Sequence, residues 1–112
     1  MYAVIFEVQP KAERIDEYLD IAAELRPALE KIDGFISIER FKSLTNEGKV
    51  LSLSIWRDEA AIAVWRNLPQ HREAQAKGRA RIFDDYRIRV AEILRDYSMT
   101  ERGEAPADAP VA

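Results

Sequence analysis

The sequence contains no cysteine and only one histidine, His71, and this scarcity excludes several kinds of chemistry. Without cysteine the chain has no disulfide, thiolate nucleophile, iron–sulfur cluster or cysteine-type zinc site. One histidine among scattered carboxylates does not provide the ligands of a His-rich metal site within one chain. The candidate reactive groups are therefore Trp, Tyr, Arg, the carboxylates and His71.

Charge of one sign and long hydrophobic runs are also scarce. The chain has 17 Lys and Arg against 20 Asp and Glu, a net charge of −3, so it lacks the basic surface that nucleic acids or anionic membranes attract. No run approaches the roughly 18 consecutive apolar residues of a membrane span, and the start MYAVIFEVQ lacks the features of a signal peptide. We expect a cytoplasmic protein without nucleic-acid or membrane partners.

The first third of the chain changes from a strand period to a helix period. Residues 2–8 alternate between two faces, which predicts a strand, and residues 12–32 repeat apolar positions every three or four residues, which predicts a helix. Pro27 removes a helical hydrogen bond, so we expect a kink or break near Arg26. Gly34 can adopt the left-handed conformation that ends a helix.

Two further strands and a divided helix follow. Residues 35–43 and 50–56 have strand composition and are separated by the turn residues 45–48, which predicts an antiparallel hairpin. Asp58 is placed to cap one helical segment, and Asn67 with Gln70 resembles a capping box that starts a second one.

The chain ends with a fourth strand and a polar tail. A short turn is expected over 82–85, and alternation from Tyr86 predicts a strand that continues to Leu94 or Tyr97. Residues 100–112 are rich in Ala, Pro and acidic residues, so we expect them to be disordered or to form an arm over a partner subunit.

The predicted order β-α-β-β-α-β is typical of a ferredoxin-like α+β domain, which we assign to residues 1–99. In that fold an antiparallel four-stranded sheet has both helices on one face. The third strand nevertheless offers apolar residues to both faces, with Leu51, Leu53 and Ile55 opposite Val50 and Trp56. Because soluble monomers rarely expose such a patch, we expect the second face to pack against another copy in a homodimeric α+β barrel.

The region around the two tryptophans resembles a known family. Trp56 ends a strand, Trp65 follows on a helix, and the segments HREAQAKGR and DYRIRVAEILRDY come next. From Tyr2 to about Met99 the chain resembles the antibiotic biosynthesis monooxygenase (ABM) family of small dimeric α+β barrels. The resemblance implies a cofactor-independent monooxygenase, an oxidoreductase that acts on a small aromatic or quinol-like compound and needs no bound metal.

Such an enzyme binds a flat aromatic compound, accepts its proton and excludes water. His71 is the natural base because its ordinary pKa lies near neutrality, and Glu7 is a second candidate if burial raises its pKa. Alternatively, His71 is a solvated helix residue and the aromatic residues only fill the core. The candidate substrate-binding residues, of which Arg40 could also handle protons, are Trp56, Trp65, Phe41, Phe83, Tyr86, Arg40 and Gln75.

Two alternatives remain open. The haem-degrading branch of the family has a tryptophan at the position of Trp65, but its ligand histidine matches Gln75 here, and its first-strand asparagine has no counterpart. The other alternative is a non-catalytic barrel that binds a small ligand or is associated with stress. This alternative needs no proton-transfer residue.

Overall fold

A computed structural model describes residues 1–109, and its elements follow the predicted order β-α-β-β-α-β. Four strands form one antiparallel sheet with the helices of a ferredoxin-like α+β domain, which confirms the predicted fold class. The elements are β1 Tyr2–Pro10, a 3-10 turn Ala12–Arg14, α1 Ile15–Glu30, β2 Phe35–Lys42, β3 Val50–Trp56, α2 Glu59–Arg66, α3 Pro69–Lys77, a π-helical turn Gly78–Ile82 and β4 Phe83–Glu92.

The strand order β2-β3-β1-β4 determines where the helices cross the sheet. Because β3 lies between β1 and β2, α1 crosses over β3 on its way to β2. The connection from β3 to β4 passes β1 in strand order; within it, α2 contacts β3, and α3 contacts α1, α2 and the π-helical turn. The two central strands therefore lie beneath helices, while β2 and β4 form the edges. The predicted hairpin between β2 and β3 is confirmed.

The helix boundaries confirm one predicted cap and overturn the other. The carboxylate of Asp58 accepts a hydrogen bond from the Ala61 amide at 2.9 Å, as an N-cap of α2 should. Asn67 does not start α3, which begins after Leu68 with Pro69 in its first turn. Instead the Asn67 side-chain amide donates to the Ala63 carbonyl at 2.8 Å and closes the end of α2.

The prediction for Gly34 agrees with the structure, whereas the helix break predicted near Pro27 does not occur. The first helix does not break near Arg26, because α1 continues through Pro27 to Glu30. Gly34 has a φ of 98°, the predicted left-handed conformation, and its carbonyl accepts from the Arg57 amide at 2.7 Å. The glycine therefore shapes the turn that joins α1 to β2.

The predicted turn over 82–85 is wrong, because the π-helical turn Gly78–Ile82 comes earlier and β4 already begins at Phe83. The Phe83 ring lies against the Cα of Gly78, where a side chain on Gly78 would collide with it. Absence of a side chain at residue 78 thus lets the ring pack against the turn. Sequence periodicity could not indicate this contact.

The C-terminal segment is described as far as residue 109. It contains short turns, including a hydrogen bond from the Ser98 amide to the Glu101 carbonyl at 2.8 Å. Residues 110–112 lie outside the described part, and disorder over 100–112 stays a prediction. Within residues 1–109 no helix has the length and apolar character needed to cross a membrane.

Candidate functional site

The middle of β3 is polar although it lies beneath the helices. Ser52 and Ser54 are each 6% exposed and alternate with the buried Val50 and Trp56 on the helix-facing side. Ser54 is used structurally, because its Oγ accepts the indole N–H of Trp56 at 2.8 Å. Two small polar residues therefore occupy positions where a packed core needs large apolar side chains.

These serines lie between two separate hydrophobic clusters. One cluster has Val8, Tyr18, Val50 and Ile82 at its centre, and the other has Leu29, Trp56, Ala61 and Ile62. Val50 and Trp56 are the two ends of β3, so the clusters pack at opposite ends of the strand. Residues 52 and 54 mark the space between them, which we call the central cleft.

Strand register shows which other residues border the central cleft. Directly opposed residues of antiparallel strands project to the same face of a sheet. The floor therefore has two rows; the first changes from polar on β2 and β3 to apolar on β1 and β4, and the second is apolar except for Ser54. The first row is Arg40, Ser52, Phe6 and Ile88, and the second is Ile38, Ser54, Val4 and Val90.

Arg40 is half-buried on this floor and has no charged partner. Its Nε is buried without a hydrogen bond, and no carboxylate of residues 1–109 forms an ion pair with its guanidinium. The hydroxyl of Tyr18, on α1, is likewise buried without a partner. Because buried polar groups normally have hydrogen bonds, these two groups mark places where a ligand can bind.

His71 is half-buried, not solvated, and packs against Trp65. The centres of the two rings are 4.4 Å apart with 33° between their planes. Burial lowers the pKa of His71 below its ordinary value, although the Arg66 backbone opposes this by raising it. The Nδ1 atom is buried without a hydrogen bond. Burial therefore favours the neutral imidazole, and its unpartnered Nδ1 is the candidate atom for accepting a proton.

An aromatic group lies at one end of the central cleft. The ring of Phe83 makes edge contacts with Phe6, Tyr18 and Tyr86, with centres 5.9, 5.8 and 6.0 Å apart. Tyr86 is on the edge strand β4 and is partly open to solvent, whereas Tyr18 is buried. Two predicted residues, Phe83 and Tyr86, are thus brought together as an aromatic wall.

Glu7 lies on the opposite face of the sheet, away from His71. Its carboxylate forms ion pairs with Lys49 and Arg89, each at 3.4 Å. Desolvation raises the pKa of Glu7, but the charges and hydrogen bonds of those two cations outweigh it and hold the pKa below its usual value. The condition under which Glu7 would be the base, a pKa raised by burial, is therefore not met, because Lys49 and Arg89 lower it.

The remaining predicted residues are dispersed. Trp56 is fully buried in the core, and Phe41 is 44% exposed on the face of Glu7, where it lies opposite Leu51. Gln75 is half-buried on α3, one helical turn after His71. Of the predicted set, Arg40 and His71 have a buried polar atom without a partner, and Tyr86 is exposed on the helix-facing side of β4.

Sequence reasoning missed four residues of the central cleft, namely Phe6, Tyr18, Ser52 and Ser54. The serines did leave a signal, since they interrupt the apolar alternation of VLSLSIW on the face that contains Trp56. Tyr18 left none, because a tyrosine in an amphipathic helix is equally compatible with a core position.

A second concavity, of about 800 Å³, lies on the outside between α1 and α2. Among the charged residues that line it, Arg57 contacts Asp33 and Asp58 at 3.1 and 2.9 Å, whereas Glu24 and Lys31 form no ion pair within residues 1–109. The part of the chain described here also has no cluster of three His, Cys, Asp or Glu residues that could hold a metal ion. The unpartnered polar groups lie elsewhere: Arg40 is on the sheet floor beside Ser52, Tyr18 is in the cluster around Val8, and His71 is on α3 against Trp65.

The ferredoxin-like arrangement of one antiparallel four-stranded sheet and its helices defines the class of fold. The family model described as antibiotic biosynthesis monooxygenase matches residues 1–77. The chain belongs to this family. The sequence resemblance from Tyr2 to Met99 is thereby confirmed at the level of family and fold.

Individual relatives agree with this assignment. Jasmonate monooxygenase ABM of Pyricularia oryzae is 50% identical over 101 residues, covering 90% of this chain and 47% of that protein. The uncharacterized protein YqjZ of Bacillus subtilis is 31% identical over 94 residues, 84% of this chain and 80% of that one. The present chain thus spans about half the length of the Pyricularia protein, 47%.

Among solved structures, Rv0793 from Mycobacterium tuberculosis superposes with a TM-score of 0.76. The match covers 87% of this chain and 98% of that one at 18% identity. At this identity the likeness concerns the fold alone.

Proposed function

We propose that the chain is a monooxygenase that works without a bound cofactor and uses His71 as its general base. The observation that supports this most strongly is the half-buried His71 ring, stacked on Trp65 with its Nδ1 unpartnered and its pKa lowered. The family membership and the monooxygenase name of the Pyricularia relative support the same reaction class. Glu7 is a poor base because two cations stabilise its ionised form.

The reaction begins when His71 accepts an acidic proton from the substrate. The resulting oxyanion is electron-rich enough to pass one electron to dioxygen, and the two radicals then combine at the deprotonated carbon. In a substrate with an activated methylene group, loss of water converts CH2 and O2 into C=O and H2O. The substrate is oxidised by four electrons and one oxygen atom leaves as water. The protein's part is to hold the substrate, accept the proton and exclude water.

The substrate class proposed from the sequence is a small aromatic or quinol-like compound. The aromatic wall of Phe6, Phe83 and Tyr86 supports a flat ligand. The name of the Pyricularia relative adds a second type, because jasmonate has a ring ketone that can form an enolate. Phenols and enolisable ketones share the property that this mechanism needs, namely a proton whose loss gives a delocalised oxyanion.

The proposed enzyme is a homodimer. The sheet face opposite the helices presents Ile5, Leu51, Leu53, Ile55 and Phe41, and no helix of the described chain covers that face. Burying this face against a second copy removes the apolar surface from water. Light scattering at micromolar concentration should give about twice 12.9 kDa. A stable monomer at that concentration would contradict the dimer.

Oxygen uptake with a panel of hydroquinones, anthrones and cyclic ketones tests the reaction class. An active protein should consume oxygen without added metal, flavin or haem. If no compound supports uptake although the protein binds several of them, the chain is instead the non-catalytic ligand-binding barrel.

Haem degradation is tested separately. Gln75 takes the position that the haem-binding branch gives to its ligand histidine, and His71 is one turn away with its ring against Trp65. We therefore expect colourless protein and no stoichiometric Soret change on haem titration. A tight complex whose spectrum is lost in His71→Ala would show that His71 is the haem ligand and would contradict this expectation.

A further inference from the structure

We infer that the central cleft binds an amphipathic carboxylate across the strands, with the carboxylate at Arg40 and the apolar end towards β4. This inference rests on the proposed function only in taking the same cleft as the substrate site. It specifies what the substrate must contain besides the reacting atom. The sequence alone did not predict this carboxylate site, because the fold is needed to show that Arg40 is half-buried without an ion pair.

The charge of Arg40 is the first observation. Half-buried cations are normally paired, because removing a charge from water is costly unless an opposite charge compensates for it. Seven ion pairs occur within residues 1–109, and Arg40 takes part in none of them. Its Nε also has no hydrogen bond. A guanidinium with unused donors suits a carboxylate, which can accept two parallel hydrogen bonds.

The neighbours of Arg40 make that end of the cleft polar. Ser52 is directly opposite it on β3, and Ser54 follows two residues later on the same face. The Ser54 Oγ already accepts the indole N–H of Trp56. The Ser52 hydroxyl accepts no indole N–H and can donate a hydrogen bond to an anion. An anion at Arg40 would therefore have at least one further donor within reach of the same strand pair.

The other side of the cleft is apolar and leads to an open edge. Phe6 and Val4 on β1 are followed by Ile88 and Val90 on β4, in the same two rows. Ile88 and Val90 are 44% and 49% exposed, so the helices do not cover this edge. A ligand that is charged at one end and apolar at the other matches this change from polar to apolar across the floor.

The distance between strands gives the expected length of the ligand. Neighbouring strands lie about 4.8 Å apart, so the three spacings from β2 to β4 amount to about 14 Å. The carboxylate and the far apolar end should be separated by a comparable length. His71, on the helix layer that crosses β1, would then lie over the interior of the ligand and not over its charged end.

Binding of ω-phenylalkanoates, measured by tryptophan fluorescence or calorimetry under nitrogen, tests the inference. Affinity should rise from phenylacetate to 6-phenylhexanoate, and the methyl ester of the latter should bind about tenfold more weakly or worse. Arg40→Gln should lower the affinity for the carboxylate to that of the ester and leave the ester unchanged. Arg40→Lys keeps the charge but not the planar fork, and should be intermediate.

Arg95→Gln is the matched control, because it removes the same charge from an exposed position beyond β4. It should change neither affinity. Arg40→Gln should also not lower the melting temperature, because no ion pair of that guanidinium occurs within residues 1–109; Arg40→Met serves as a second variant if Gln impairs folding. Equal affinity for acid and ester, full affinity in both Arg40 variants, or no binding by the wild type would each overturn the inference.

Catalysis and anion binding can fail independently in this design. A protein that binds the acid through Arg40 but never consumes oxygen would contradict the proposed function and support the present inference. An active protein whose KM for acidic substrates is unchanged by Arg40→Gln would contradict the inference and leave the proposed function standing.

Discussion

Charged side chains are paired on one face of the sheet and unpaired on the other. On the face without helices, Glu7 is held between Lys49 and Arg89, and its pKa is lowered because the two cations outweigh the desolvation that would raise it. On the helix face, Arg40 has no ion pair and His71 has a buried nitrogen without a partner. The difference suggests that charges on the first face serve the structure and its assembly, while those on the second are available to a ligand.

Loss of His71 should have the largest effect. General-base catalysis is typically worth about 10² to 10⁴ in rate, so His71→Asn should lower oxygen uptake by at least tenfold. Since the ring packs on Trp65, a modest fall in melting temperature is also expected. An active wild type whose rate survives this substitution would remove His71 from the mechanism.

The pH dependence of stability and of kcat/KM is a second test of the role of His71. Because burial lowers the folded-state pKa of His71 below the ordinary 6.5, the folded protein disfavours the charged ring. Stability from this residue is complete above the unfolded pKa and is lost as pH falls from 6.5 through the folded value. kcat/KM should fall over the same acidic window. Fluorescence of Trp65, which protonated His71 quenches, should report the titration; a midpoint above 6.5 would contradict the burial of the ring.

Substitution of Ser54 should have the next largest effect, which is on the free energy of unfolding and not on the reaction rate. Ser54→Ala leaves the buried indole N–H of Trp56 without an acceptor, which costs about 1 to 3 kcal/mol of unfolding free energy. Thr100→Ala, which removes a hydroxyl from an exposed position beyond β4, is the control and should change little. Equal denaturation midpoints for the two variants would show that the Trp56 hydrogen bond contributes nothing.

Glu7 should give the smallest effect. Its folded pKa is lowered, so its contribution to stability is present above the ordinary 4.5 and disappears as pH falls through the folded value. Glu7→Gln should therefore reduce the melting temperature slightly at neutral pH, and the difference should shrink below pH 4.5 and in high salt. A difference that grows on acidification would contradict the ion pairs.

Sequence periodicity was sufficient for the element order, the hairpin and the Asp58 cap, because these depend on local alternation, turn residues and a single carboxylate. It failed at Asn67, where a side chain that can cap the start of one helix closed the end of the previous one. Near Arg26 the helix continues through Pro27 without a break, and a kink there stays a prediction.

The site was harder to predict than the fold. Residue type alone selected Arg40 and His71, which have buried polar atoms without partners, and Glu7 and Phe41, which lie on the other face of the sheet; their roles stay predictions. Face assignment in a strand depends on register, and a one-residue difference reverses it. The serines of β3 were visible but uninterpretable until the two hydrophobic clusters on either side of them were known.

The central claim is that ligands bind on the helix face. NMR spectra of the protein titrated with 6-phenylhexanoate test it directly, because His71 is the only histidine and gives unique ring signals. The account predicts shifts of the His71 ring protons, the Trp65 indole and the Arg40 Nε–H, with the Glu7 and Phe41 signals unchanged. Shifts confined to Glu7, Phe41 and their neighbours would place the ligand on the opposite face and contradict it.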